Sequence, residues 1–195
     1  MRRWVIVGAV ALVCVVWVVE AQAYRGPFKG RVVDAETLQP IQGAVVFVEW
    51  SRGVITLVEA QSEYYDAAEV LTDEKWYFHI KKKWSLNPWT IFATDASVII
   101  FKAGYGRVDI SHWPRLKEVA DYMRGRSLEE RKRVGPEFYF DIEFEDGLPV
   151  FLLKKLTTVE ERIKNLPHSS GDAPEQKMRF LQEEKDKERK ALGLN

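Results

Sequence analysis

Apolar and polar residues alternate in two short blocks near the start of the chain, and the rest of the chain is organised around these blocks. Residues 28–34 read FKGRVVD and residues 44–50 read AVVFVEW, separated by a polar stretch containing Pro40 and Gly43. β-Branched and aromatic residues bounded by turn formers predict two strands joined by a loop. In the second block Ala44, Val46, Val48 and Trp50 share one face, and Val45, Phe47 and Glu49 share the other. Two largely apolar faces predict a central strand covered on both sides. Further strands are expected over 54–58, over 69–72 and 77–81 around a turn at 73–76, and over 97–101. Residues 61–66 are polar and aromatic and read as a loop. So do residues 84–95, which contain Asn87 followed by Pro88.

From Ser111 the periodicity changes. Leu116, Val119, Ala120 and Met123 recur at helical spacing, and Ser127 with Glu130 forms a capping-box pattern opening a second short helix. This predicts a helical insertion near 111–134. Residues 138–144 and 150–156 then flank Glu145, Asp146 and Gly147, and Asp-Gly between alternating runs is a strong hairpin signal. Phe138, Phe140, Ile142 and Phe144 fall on one face against Tyr139, Asp141, Glu143 and Glu145 on the other, the alternation of a half-buried strand. Thr157 with Glu160 is a further capping-box pattern, and Pro174 precedes a helix expected over 175–192. Residues 183–190 are all charged, with Glu183–Lys187 and Asp186–Lys190 as expected i,i+4 pairs. Met178, Leu181 and Leu192 leave that helix a thin apolar stripe, suited to weak docking or to a partner. The expected organisation is therefore a leader at 1–23, a β-sandwich domain at 24–156 with its helical insertion, and a helical tail at 157–195.

The leader is read from Arg2 and Arg3, the apolar run 4–19, and Ala21-Gln22-Ala23. A basic start, an apolar core and an A-x-A end describe a secretory signal peptide cleaved after Ala23. The apolar run is shorter than the roughly 20 residues a membrane crossing needs, so an uncleaved anchor is the lesser alternative. Cys14 has Val13 before it and apolar residues after it, which argues against lipidation there. A chain starting at Tyr24 has no cysteine, hence no disulfide, no thiolate nucleophile and no cysteine metal ligand. The expected location is the periplasm or the exterior, with membrane contact only through an uncleaved leader. The chain has 46% hydrophobic and 30% charged residues with zero formal net charge, an ordinary globular balance with no electrostatic footprint for nucleic acid.

Candidate chemistry is sparse. His79, His112 and His168 lie in different segments without ligand spacing, so no metal site is expected. No cofactor is expected either. No nucleophile motif occurs, and Ser169, Ser170 and Gly171 beside His168 read as linker. No catalytic residue is assigned. Asp141, Glu143 and Glu145 share a strand face that could serve a small hydrolase, though a solvated face is the simpler account. Trp84, Trp89 and Trp113 fall in predicted loops. They are the candidate ligand-binding residues, because loop aromatics stack sugars or anchor peptides. The competing account is that they cap the ends of the core.

Gly30, Val32, Asp34, Thr37, Pro40, Ile41, Gly43, Ala44 and Val46 stand in the spacing G-x-V-x-D-x-x-T-x-x-P-I-x-G-A-x-V. This resembles the opening of the carboxypeptidase regulatory-like domain. That pattern continues T-D-x-x-G-x-F, matched here by Thr72, Asp73 and Phe78, with Trp76 standing where glycine is expected. Gly104 and Tyr105 then close the run from 97, as that pattern's later strand does. The resemblance covers residues 28–105. It implies a mainly β, antiparallel, transthyretin-like Greek-key β-sandwich, here carrying a helical insertion and C-terminal helices. It also implies an exported, non-catalytic module that binds or supports an envelope assembly, with an envelope protein or a glycan as partner. A secreted carbohydrate-binding protein is the alternative, and a small hydrolase the weaker one.

Overall fold

A computed structural model describes residues 26–55, 60–82, 94–111, 113–133, 140–168 and 173–194. Among these residues eight strands form two four-stranded sheets. They are β1 (Phe28–Asp34), β2 (Val45–Ile55), β3 (Ala60–Leu71), β4 (Tyr77–Ile80), β5 (Thr94–Phe101), β6 (Val108–Ile110), β7 (Phe140–Glu145) and β8 (Leu148–Leu153). The first sheet runs β4-β1-β8-β7 and the second β3-β2-β5-β6. All pairings are antiparallel except β1 with β8, which is parallel. The leader lies outside the described residues.

The alternation read in the first two blocks builds the core. Phe28 and Val32 of β1 meet Val46, Val48 and Trp50 of β2 between the sheets, joined by Phe78, Val98, Ile100, Phe140, Phe151 and Leu153. Gly30 is required here because a Cβ would stand 2.9 Å from the Phe78 ring. β2 is central, as its two apolar faces predict. It lies between β3 and β5, and its other face places Val45 and Phe47 in a second buried cluster. The Asp-Gly hairpin also forms as expected. Asp146 and Gly147 both have positive φ, 51° and 77°, the type I′ geometry that matches strand twist.

Some expectations are corrected. Residues 61–66, expected as loop, belong to β3, which pairs with an extended β2 through a register shift at Trp50/Ser51. The strand expected over 54–58 is the end of β2 as far as Ile55, and residues 56–59 lie outside the described ones. Helix α1 (Leu116–Met123) has the expected bounds, and α2 (Leu128–Lys132) carries the Ser127–Glu130 capping box. Helix α3 (Val159–Lys164) is capped by Thr158 with Glu161, one residue later than expected. The reason is that residue 156 is still held by a neighbouring turn: the Leu156 N–H donates to the Gly104 carbonyl at 2.8 Å.

The corner between β1 and β2 is fixed by two side chains of the 28–105 pattern. The Asp34 carboxylate accepts N–H bonds from Glu36 and Thr37, both at 2.9 Å, and the Tyr105 hydroxyl at 3.0 Å. Burial works to raise its pKa, but these donors outweigh it and hold the carboxyl below the ordinary aspartate value. Thr72 is buried; its hydroxyl donates to the Ile41 carbonyl at 2.6 Å and accepts the Ala44 N–H at 2.9 Å. Thr72→Val keeps the shape and strands both groups, so it is expected to cost about 1–3 kcal/mol. Thr72→Ser is expected to restore most of that loss in the same denaturant titration.

Trp76 has φ +65°. Its N–H donates to the Asp73 carbonyl at 2.9 Å, and the Asp73 N–H to the Tyr77 carbonyl at 3.0 Å. This is a tight turn followed by a left-handed residue, the position a glycine normally takes. The turn therefore keeps the length and path a glycine would give it, with a tryptophan in glycine's conformation.

Helix α4 (Arg179–Ala191) lies on the outer face of the second sheet. Met178 and Leu181 pack with Ala173 against Val45, Phe47, Ala67, Ile99 and Phe101. Its N-terminus has no cap of its own. Instead Glu69 of β3 accepts the N–H groups of Phe180 at 2.9 Å and Leu181 at 3.1 Å, which suits the positive end of the helix dipole. The run 183–190, expected as a solvated face, turns two carboxylates inward. Glu184 and Glu188 are 3% and 2% exposed. Lys187 pairs with Glu184 at 2.8 Å and is also drawn to Glu183, as expected, while Glu183 meets Arg179 at 3.7 Å.

Candidate functional site

The three tryptophans singled out as ligand-binding residues do not converge. Trp84 and Trp89 lie outside the described residues. Trp113 is 7% exposed and opens a 3₁₀ turn (Trp113–Arg115) leading into α1. Its ring meets Phe28 at 5.1 Å, Phe151 at 5.8 Å and Phe78 at 6.3 Å between centroids. A ring enclosed on these sides has no free face to stack a ligand, which corrects the expectation for this residue. Trp113 closes one end of the core.

Two of the three acids on the β7 face are paired. Asp141 is held by Arg131 of α2, with Lys154 at 3.8 Å, and Glu145 by Arg31 at 2.7 Å. These contacts fasten α2 and β1 across the sheet. His79 is exposed on β4, and His112 lies outside the described residues. His168 places Nδ1 3.4 Å from Arg107 Nη1. Among the described residues no group of three or more His, Cys, Asp or Glu is placed to hold a metal ion.

What the fold does assemble is a groove between α1 and β6. The spacing of α1 sends Leu116, Ala120 and Met123 into the core and leaves Val119 and Tyr122 on its flank, half-buried. Opposite them stands Ile110 of β6. Together these residues floor a concavity of about 460 Å³. Its rim carries Arg115 with Glu118 at 3.9 Å, and Asp109 held by Arg107 at 2.8 Å. Arg126 lies over the Tyr122 ring at 4.1 Å and fixes its angle.

β6 is anchored from behind. Arg107 is 7% exposed. Its backbone N–H donates to Asn165 Oδ1 at 3.0 Å, and its guanidinium donates to the Leu166 carbonyl. Its Nε has no partner. Among the described residues, β6 pairs with β5 and ends its sheet. A sheet-end strand beside an apolar floor with ion-paired rims has the geometry of a peptide-docking groove. Sequence reasoning missed it because β6 offers one turn of alternation, Val108-Asp109-Ile110. The flank position of Val119 within α1 was the available signal.

Among the described residues no helix is long and apolar enough to cross a membrane. Comparison with protein-family models, with curated proteins and with solved structures finds no match to this chain.

Proposed function

We propose that this chain is an exported, non-catalytic binding module. It is released by cleavage after Ala23 and docks an extended segment of an envelope protein along β6 and the α1 groove. The groove carries the reading. It puts an apolar floor beside a strand that ends its sheet among the described residues, so the floor can select the side chains of a docked segment. The paired rim charges keep the site neutral and polar at its edge, the usual anatomy of a docking patch. The transthyretin-like, carboxypeptidase regulatory-like assignment belongs to the same proposal. Its support is that three residues of the resembled pattern each do a specific job, Gly30 under the Phe78 ring and Asp34 and Thr72 at the β1–β2 corner.

The test is a photo-crosslinking residue placed at Glu118 on the groove rim, with Lys29 on the far sheet as the control position. A discrete heavier adduct in the envelope fraction is expected from position 118, not from 29, and it should vanish in Val119→Arg. Mass measurement of the exported chain should place its first residue at Tyr24. Equal adducts from both positions, or none from 118, would sink the docking reading.

A further inference from the structure

β6 forms one wall of the groove, yet it has three residues, and its ladder among the described residues runs to β5 alone. What fixes it lies just upstream, where every residue of 103–107 is held by a group from another segment. The Ala103 N–H donates to Glu184 of α4 at 3.2 Å, and the Gly104 N–H to Glu188 at 2.9 Å. The Gly104 carbonyl accepts the Leu156 N–H, and the Gly106 N–H donates to the Lys154 carbonyl, both at 2.8 Å. The Tyr105 hydroxyl donates to Asp34 at 3.0 Å. Arg107, the residue before β6, gives its N–H to Asn165 and its guanidinium to the Leu166 carbonyl.

Asn165 joins the C-terminal helices to the strand. It is 2% exposed and follows α3 directly. Its Oδ1 accepts the Arg107 N–H and its Nδ2 donates to the Glu161 carbonyl, both at 3.0 Å. Turning the amide over would set donor against donor and acceptor against acceptor, so its orientation is fixed. Arg162 ties α3 to Glu188 of α4, and Glu188 returns to Gly104. The contacts therefore close a ring: α4 to α3, α3 to Arg107, and residues 107–104 back to α4. Arg107 carries the placement into the groove, because its Nη2 holds Asp109 on the rim at 2.8 Å. Ile110 of the floor is the next residue. A strand this short keeps its distance from Val119 and Tyr122 only if the segment before it is held.

We propose that Asn165 is a positioning residue for the docking groove, through which α3 and α4 hold β6 in place for its ligand. This rests on the docking reading above and names how that site is controlled. A wall ordered in advance lowers the entropy lost on docking. The coupling is reciprocal: lifting the helices weakens docking, and a docked segment stabilises the helices.

The test compares Asn165→Ala with Thr72→Val, which loses buried hydrogen bonds at the β1–β2 corner and so controls for stability alone. Both are studied at a temperature where circular dichroism shows them folded. In amide hydrogen exchange of the purified chain, Asn165→Ala is expected to speed the amides of 108–110 at least about tenfold and leave those of 45–50 unchanged. Thr72→Val should show no such contrast. The photo-crosslinking residue at position 118 then reads docking in the envelope fraction. Asn165→Ala should raise the chain concentration for half-maximal adduct about fivefold or more, a coupling of ordinary size. Thr72→Val should leave it unchanged, and Asn165→Asp, which keeps the acceptor for Arg107, should recover part of the loss. Exchange that rises equally at 45–50 and 108–110, or at neither, overturns the inference. An adduct undiminished in Asn165→Ala removes the inference and leaves the docking reading standing. No adduct from 118 in the otherwise unaltered chain removes both.

Discussion

Arg162→Met is expected to lower the stability of this protein by about 3–5 kcal/mol, the cost of leaving a buried charge without its partner. For a chain of this size each kcal/mol moves the melting midpoint by about 2–4 °C. Arg162 of α3 makes two bonds to Glu188 of α4, both 2.7 Å, and Glu188 also accepts the Gly104 N–H at 2.9 Å. The carboxylate's hydrogen bonding raises the arginine's pKa above its ordinary value. Glu188 is 2% exposed, whereas Arg162 can reach water. Removing the arginine is therefore the more damaging direction, because the acid stays buried. Methionine keeps much of the stem and deletes the charge. Adding Glu188→Gln to Arg162→Met should recover part of the loss. A melting midpoint within 1–2 °C of wild type at pH 7 would show that the pair holds nothing.

Glu184 supports the same junction. Burial works to raise its pKa, but Lys187, Lys102 and the Ala103 N–H outweigh it and hold the carboxyl below the ordinary glutamate value. α4 is thus a strap over Val45, Phe47, Ile99 and Phe101, fastened at the sheet by apolar contacts and at the 102–104 turn by two carboxylates. Without it, those four side chains would form an exposed apolar patch of the kind that drives aggregation.

This strap is only partly legible in the sequence. Met178, Leu181, Glu184 and Glu188 follow one helical face, and the first two read as a thin apolar stripe. Nothing local says that the next two positions on that face, both acidic, turn inward. That depends on Lys102, Arg162 and two backbone N–H groups arriving from distant segments. By contrast, β1, β2 and the β7–β8 hairpin are readable, because alternation and Asp-Gly turn chemistry act within a few residues. The first half of β3 is not. Its outer side is a sheet edge, so polar residues such as Ser62 and Glu63 are tolerated there, and its identity comes from pairing with β2. The groove is hidden for a similar reason: it is made by the juxtaposition of α1 and β6, each ordinary alone. Trp76 stands out as a departure from the resembled pattern, but its left-handed φ is visible only in the structure.

Trp113→Ala is expected to cost about 3–5 kcal/mol, the range for deleting a large aromatic from a packed core. Trp113 is the common neighbour of Phe28, Phe78 and Phe151, and Phe28 in turn meets Trp50 at 5.9 Å. Removing the indole leaves a void at the centre of this aromatic group, and rigid rings on three sides limit how far it can collapse. Trp113→Phe should cost much less, since it retains most of the apolar volume and an edge for the same contacts. The pair of variants separates the two roles open to a tryptophan in this segment. A surface ring that stacks a ligand would leave the denaturant midpoint within about 0.5 kcal/mol of wild type and abolish binding. A core ring should do the opposite at moderate temperature.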